Sequence, residues 1–205
     1  MQSLRLPRVY PLTDVVLSGL SHADQVRLLS LGGATLVQLR EKQMPALQFY
    51  EQARAAVALG APLIIDDRVD IALAVGAHGV HLGQDDMPPE AARRLLGDKA
   101  VIGYSTHTIE QAKKALTLPI DYIAIGPIFA TSSKTNPAQT LGLEGLRAVR
   151  EAVGNVQLVA IGGISHSNAR EVIEAGADSI AVISALLAVP ARISHATRTL
   201  ITSLW

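Results

Sequence analysis

Ala74-Val75-Gly76-Ala77-His78-Gly79-Val80-His81 and Glu174-Ala175-Gly176-Ala177-Asp178-Ser179-Ile180-Ala181 share one form: a helix end, a glycine, a small residue and then a β-branched or alternating run. Gly76 and Gly176 fit the position just past a helix where the backbone must turn left-handed, and Gly32 completes a set of three. Working outward, short apolar runs recur at 9–12, 36–40, 63–65, 79–82, 101–104, 122–125, 158–161 and 179–182, each followed by a polar loop. Stretches with helical spacing between them include 22–31, 45–59, 89–96, 109–116, 143–153 and 167–175, and a final one runs from 184 towards 203. This βα rhythm, repeated eight times at about 25 residues per unit, predicts a single α/β domain over 1–205 built as a (β/α)8 TIM barrel. An open doubly wound sheet is the runner-up and usually needs fewer strands.

Composition narrows the chemistry. Aromatic residues make up 3% of the chain, too few for the stacking platforms of single-stranded nucleic acid or carbohydrate sites. Eighteen basic residues balance eighteen acidic ones, so no net field recruits nucleic acid or an anionic membrane. The absence of cysteine removes disulfides, thiolate metal sites and a thiol nucleophile together. The first ten residues are interrupted by Pro7 and Arg8 and have no apolar leader core, and no later apolar run reaches the length of a membrane span. A cytoplasmic protein acting on small molecules is the expectation, with oligomeric state, a homo-oligomer included, left open.

In a barrel the chemistry sits where strands end. Gln38, Arg40 and Lys42 share one face by the period of two while Leu39 points to the helices, so an amide and two cations enter the mouth as an anion site. Strand three ends in Asp66-Asp67-Arg68 and strand four in Gly83-Gln84-Asp85-Asp86. Taken singly, Asp67 or Asp86, each placed before a helix, reads better as a helix cap. Carboxylates at neighbouring strand ends beside a cationic strand point to Mg2+ and a diphosphate. Strand five ends Gly103-Tyr104-Ser105-Thr106-His107, where His107 is either an acid/base group or a local hydrogen-bonding residue.

The hydroxyl-rich loop after strand six, with Lys134, reads as a phosphate-closing lid or as plain surface loop. Gly162-Gly163 after strand seven and the helix start at Ile183-Ser184 after strand eight are the ingredients of a backbone phosphate cup. His78 and His81 read as structural, with no third ligand at metal spacing. Two anion sites are thus expected, one metal-assisted near strands two to four and one made of backbone near strands seven and eight.

Gln38-Leu39-Arg40-Glu41-Lys42, Ile64-Ile65-Asp66-Asp67-Arg68-Val69-Asp70, Gly79-Val80-His81-Leu82-Gly83-Gln84-Asp85-Asp86, the run 126–134 and Ala160-Ile161-Gly162-Gly163-Ile164 together resemble the motifs of the thiamine phosphate synthase family. The resemblance spans 10–187. It implies a (β/α)8 transferase that joins hydroxymethylpyrimidine diphosphate to thiazole phosphate by a Mg2+-assisted dissociative mechanism, without a protein nucleophile. Carried over by motif, Asp67 and Asp86 hold Mg2+, and Arg40, Lys42 and Lys134 bind the diphosphate. Gln38 and Ser105 orient the pyrimidine, and Thr131, Ser133, Gly163, Ile183 and Ser184 form the thiazole phosphate cup. Arg40, Lys42, Lys134 and Ser105 make up the catalytic set.

Ser133 stands where the family commonly has Thr, and Asp66 stands beside the diphosphate where it usually has Asn. An ionised carboxylate there repels the diphosphate by an amount on the order of a few kcal/mol at about 4 Å. Approach to Mg2+, or uptake of a proton, relieves it, and the cation is the cheaper neutraliser at neutral pH. A related thiazole tautomerase, using a histidine such as His107, and a non-catalytic thiamine-precursor binding protein are the alternatives.

Overall fold

The computed structural model describes residues 6–131 and 139–205. Eight parallel strands alternate with helices: β1 Val9–Pro11, β2 Val37–Leu39, β3 Leu63–Asp66, β4 Gly79–Leu82, β5 Val101–Thr106, β6 Tyr122–Ile125, β7 Gln157–Ile161 and β8 Ser179–Val182. They form one sheet in the order β1-β8-β7-β6-β5-β4-β3-β2. The sheet closes where Leu12 bridges Gln38 and the Thr13 N–H donates to the Gln38 carbonyl at 2.9 Å. The (β/α)8 expectation holds.

The helices are α1 Val15–Ser18, α2 His22–Leu31, α3 Ala46–Val57, α4 Val69–Val75, α5 Pro89–Leu96, α6 Ile109–Ala115, α7 Gly142–Val153, α8 Ala169–Glu174, α9 Ser184–Leu187 and α10 Ile193–Ser203. Side-chain oxygens start several of them: Ser21 accepts from the Asp24 N–H and Thr108 from the Gln111 N–H. Two apolar sets result from the alternation along each strand. One, with Leu39, Leu63, Ile65, Ile102 and Ile123, packs sheet against helices. The other, with Tyr10, Leu12, Ile64, Tyr122, Val159 and Ala181, fills the barrel.

The floor of the barrel repeats one device. The residue before β4, β6 and β8 takes an N–H of the preceding odd strand: His78 Nδ1 from Leu63 at 3.4 Å, Asp121 from Ile102 at 2.8 Å and Asp178 from Leu158 at 2.8 Å. Arg93 of α5 and Arg150 of α7 then pair with Asp121 and Asp178 at 2.7 and 2.8 Å. His78 is therefore structural, as expected.

The structure corrects three details. Gly76 and Gly176 have positive φ, but Gly32 has φ −77°, and it is Gly33, at φ 101°, that turns the chain. Gly32 is required for space, since a Cβ there would sit 2.6 Å from the Thr197 Cβ of α10. The terminal helix from 184 is two helices, because Pro190 lacks an N–H and Val189 before it is extended. Strand β5 continues past Tyr104, since Ser105 and Thr106 pair with Ala124 and Ile125 of β6.

His81, Gly103 and Tyr122 lie side by side on β4, β5 and β6. A Cβ on Gly103 would meet the Tyr122 ring at 2.0 Å and His81 Nδ1 at 2.5 Å, so the bare glycine lets the two rings meet across β5. They stack with centroids 5.5 Å apart and are joined by a 3.0 Å hydrogen bond. Gly103→Ala is therefore expected to destabilise the fold by about 1–3 kcal/mol through overpacking, read from the urea midpoint. An unchanged midpoint would show that the rings move apart at no cost.

Candidate active site

The C-terminal mouth of the barrel opens into a cavity of about 580 Å3, within the range of small-molecule sites. Gln38, Arg40, Lys42, Asp66, Asp67, Asp86, Ser105, Thr131, Gly163, Ile183 and Ser184 all line it. Ser133, Lys134 and most of the expected lid lie outside the described residues. The predicted residues within the described chain therefore share one cavity, although they come from seven different strand ends.

One wall is charged. The Lys42 ammonium bonds Asp66 at 2.8 Å and also pairs closely with Asp67. Asp67 has φ 61°, the left-handed region that non-glycine residues seldom adopt and that aspartate tolerates better than most. Its N–H donates to the His81 carbonyl at 2.8 Å, which pins the unusual turn to β4. Asp86 Oδ2 accepts from the Gly83 N–H at 2.6 Å, folding the loop after β4 so that its carboxyl faces Asp67. Burial, opposed by the Gly83 bond and reinforced by the Asp67 charge, raises the Asp86 pKa above its ordinary value. Two facing carboxylates of this kind suit a hard divalent cation whose other ligands come from phosphate oxygens and water.

Asp66 is 5% exposed. Burial pushes its carboxyl up, against the pull of Lys42. Its immediate neutraliser here is thus the Lys42 ammonium, an arrangement the sequence reading did not consider. Arg40 lies across from Asp14, with Nη1 3.7 Å from Oδ2.

A chain of hydrogen bonds crosses the floor of the cavity. Gln38 Nε2 donates to the Tyr10 hydroxyl at 3.3 Å, which meets the Tyr122 hydroxyl at 3.1 Å. Tyr122 meets His81 Nδ1 at 3.0 Å, and His81 Nε2 meets Ser105 Oγ at 2.8 Å. Burial raises the pKa of both phenols, so both keep their protons. The chain joins the two residues expected to orient the pyrimidine and fixes each side chain in direction.

Tyr10, His81 and Tyr122 are the members that sequence reasoning missed. His81 differs from the structural role expected of it, since it lines the cavity and holds Ser105. A signal was present in the alternation, which turns His81 and Tyr122 to the same side as Ile64 and Ala124. His107 also lines the cavity and bonds the Gly126 carbonyl at 2.6 Å through Nδ1.

The opposite wall is backbone. Gly162 and Gly163 have φ 104° and 63°, and a Cβ on Gly163 would lie 2.5 Å from the Ala130 carbonyl oxygen. The loop after β6 is strapped onto them by the Ile128 and Phe129 N–H groups, which donate to Ile161 and Gly162 at 2.9 and 3.0 Å. Beside them α9 begins directly at Ser184, with the first-turn N–H groups of a helix at the cavity edge.

The thiamine monophosphate synthase family model matches residues 9–186. The chain is 52% identical over 193 residues to the thiamine-phosphate synthase of Albidiferax ferrireducens, covering 92% of this chain and 86% of that one. It is 50% identical over 186 residues to that of Chloroflexus aurantiacus, with 88% and 85% covered. Among solved structures, the thiamine phosphate pyrophosphorylase of Pyrococcus furiosus superposes with a TM-score of 0.86 at 39% identity, covering 96% of this chain and 95% of that one. With the barrel fold and nearly the whole of its length matched in this way, the chain belongs to the thiamine monophosphate synthase family.

Proposed function

We propose that this cavity joins hydroxymethylpyrimidine diphosphate to thiazole phosphate, forming thiamine phosphate and releasing pyrophosphate. The observation that carries the reading is the meeting in one cavity of a cationic and carboxylate wall with a glycine and helix-start wall. A diphosphate donor and a monophosphate acceptor need such a pair. The bond between the pyrimidine methylene carbon and the diphosphate oxygen breaks first, its electrons leaving with the diphosphate. The thiazole nitrogen lone pair then forms the new bond to the stabilised cation.

Arg40 and Lys42 supply fixed positive charge to the departing diphosphate, which counts for most in a cavity that excludes water. Gln38 and Ser105, each held by the buried hydrogen-bond chain, orient the pyrimidine ring. Thr131, Gly163, Ile183 and Ser184 seat the acceptor phosphate, so the thiazole nitrogen is delivered in line, a proximity contribution. Asp67 and Asp86 are the residues to hold Mg2+. When bound, the ion supplies further positive charge to the leaving group. Lys134 and Ser133 belong to this assignment by motif alone. A cytoplasmic setting with small-molecule partners accompanies the reading, and no helix among the described residues is long and apolar enough to cross a membrane.

Purified protein given both substrates and Mg2+ is expected to form thiamine phosphate, and Asp67→Asn or Asp86→Asn to lower turnover about a hundred-fold with the fold intact. Near-normal turnover in EDTA would remove the metal, and no product from the wild type would overturn the function.

The Asp66 carboxyl gives a second test. Its pKa is raised in the fold, so above its ordinary 3.8 the folded protein holds a proton that the unfolded chain has released. Stability then falls as pH rises through that window. Asp66→Asn removes this penalty while Lys42 keeps Asp67, so the variant is expected to melt above wild type at about pH 7 and to converge with it towards about pH 4. A less stable variant at neutral pH would show instead that the Lys42 pair outweighs the cost of burial.

A further inference from the structure

Arg40 and Lys42 sit on a segment whose shape is set by two residues outside the cavity lining, Thr13 and Glu41, and both of these meet one buried imidazole. His22 is the first residue of α2, its side chain wholly buried and its ring 5.4 Å from that of Phe49. His22 Nδ1 lies 2.7 Å from the Thr13 hydroxyl oxygen, which accepts the backbone N–H of Arg40 at 3.1 Å. His22 Nε2 faces Glu41 Oε2 at 3.6 Å and has no hydrogen-bond partner among the described residues. The other Glu41 oxygen accepts the backbone N–H groups of Lys42, Gln43 and Met44 at 2.8, 2.8 and 3.0 Å, and so shapes the whole turn after β2.

The groups that face the two ring nitrogens of His22 assign the tautomer. The Thr13 O–H has two acceptors in reach, His22 Nδ1 at 2.7 Å and the Gln38 carbonyl at 3.4 Å, and the carbonyl already accepts from the Thr13 N–H. A bare lone pair on Nε2 would be repelled by the Glu41 carboxylate that faces it, so the neutral ring carries its proton there, and Nδ1 accepts from the Thr13 O–H at the shorter of its two contacts. Burial holds the His22 pKa below its ordinary 6.5 although Glu41 pulls the other way. Glu41 would be raised by burial, but the amides of Gln43 and Met44 outweigh this and keep it ionised. A neutral imidazole donor therefore faces a charged carboxylate acceptor.

We propose that His22 is a positioning residue that acts through Thr13 and Glu41 to fix the backbone carrying Arg40 and Lys42, so that both cations face the diphosphate subsite. The proposal rests on the assignment of those cations to the diphosphate made above. Thr13 also belongs to the seam that closes the barrel, so the same hydroxyl ties the seam to the cation-bearing turn. A histidine that merely filled the core would, when replaced, change stability and leave the affinities for the two substrates in step.

The test uses inorganic pyrophosphate with Mg2+ as the probe, titrated calorimetrically into wild type, His22→Phe, His22→Asn and Arg40→Ala, together with the KM for each substrate. His22→Phe keeps a ring and removes both polar contacts. It is expected to weaken pyrophosphate binding about ten-fold, to raise the KM for the pyrimidine diphosphate in step, and to leave the KM for thiazole phosphate unchanged. His22→Asn, which restores an acceptor near the Nδ1 position, is expected to recover most of the affinity. If His22→Phe does not fold, Thr13→Val breaks the same link with a near-isosteric side chain and carries the same expectation. Wild-type pyrophosphate affinity in these variants, with Arg40→Ala weakened, overturns the positioning role and leaves the subsite assignment standing. Equal weakening towards both substrates overturns it as well. Unweakened binding by Arg40→Ala instead refutes the subsite assignment, and the positioning role falls with it.

Discussion

The barrel exists as a site only because its first and second strands meet. Leu12 and Gln38 form the bridge, and Thr13 adds one bond to the Gln38 carbonyl. An open sheet would leave two rows of unpaired backbone groups in place of this seam. It would also separate the wall that carries Arg40 and Lys42 from the wall formed by Gly163, Ile183 and Ser184, since β1 and β8 are neighbours. Closure is thus both a hydrogen-bonding requirement and the condition for two anion sites to face each other.

Inside the closed barrel, polarity is managed in two ways. The lower part of the cavity is polar but uncharged: Gln38, Tyr10, Tyr122, His81 and Ser105 satisfy one another in sequence, so no partner is left wanting along the chain. The upper part carries charge, with Lys42 set between Asp66 and Asp67 and with Asp86 facing the latter. The uncharged floor holds geometry, while the charged rim accommodates ions. The close packing at Gly103 serves the floor, and the left-handed turn at Asp67 serves the rim.

Much of this was legible along the chain. The helix-Gly-small-strand phrase carried the eightfold βα count, and the period of two placed Gln38, Arg40 and Lys42 on the cavity side with Leu39 against the helices. These signals are local, since they depend on side-chain direction and on backbone conformations that glycine allows. Reading failed where a distant neighbour decides. Gly32 reads as a turn residue from its neighbours alone, because nothing near it in the chain shows that α10 passes within contact of it. Ser105 reads as lying beyond its strand, because only pairing with Ala124 keeps it within one.

The sequence by itself determined the succession of elements, the strand ends at which polar residues gather, and the motifs that ally the chain with its family. Tertiary structure alone decided which of those polar groups neutralise each other. Lys42 and Asp66 are 24 positions apart, His81 and Tyr122 are 41, and His22 reaches Glu41 across 19, yet each pair meets within a few ångströms. The physical reason is that charge and hydrogen-bond energies depend on distance and burial, and in a closed barrel these are set by register and closure, which no short window of sequence contains.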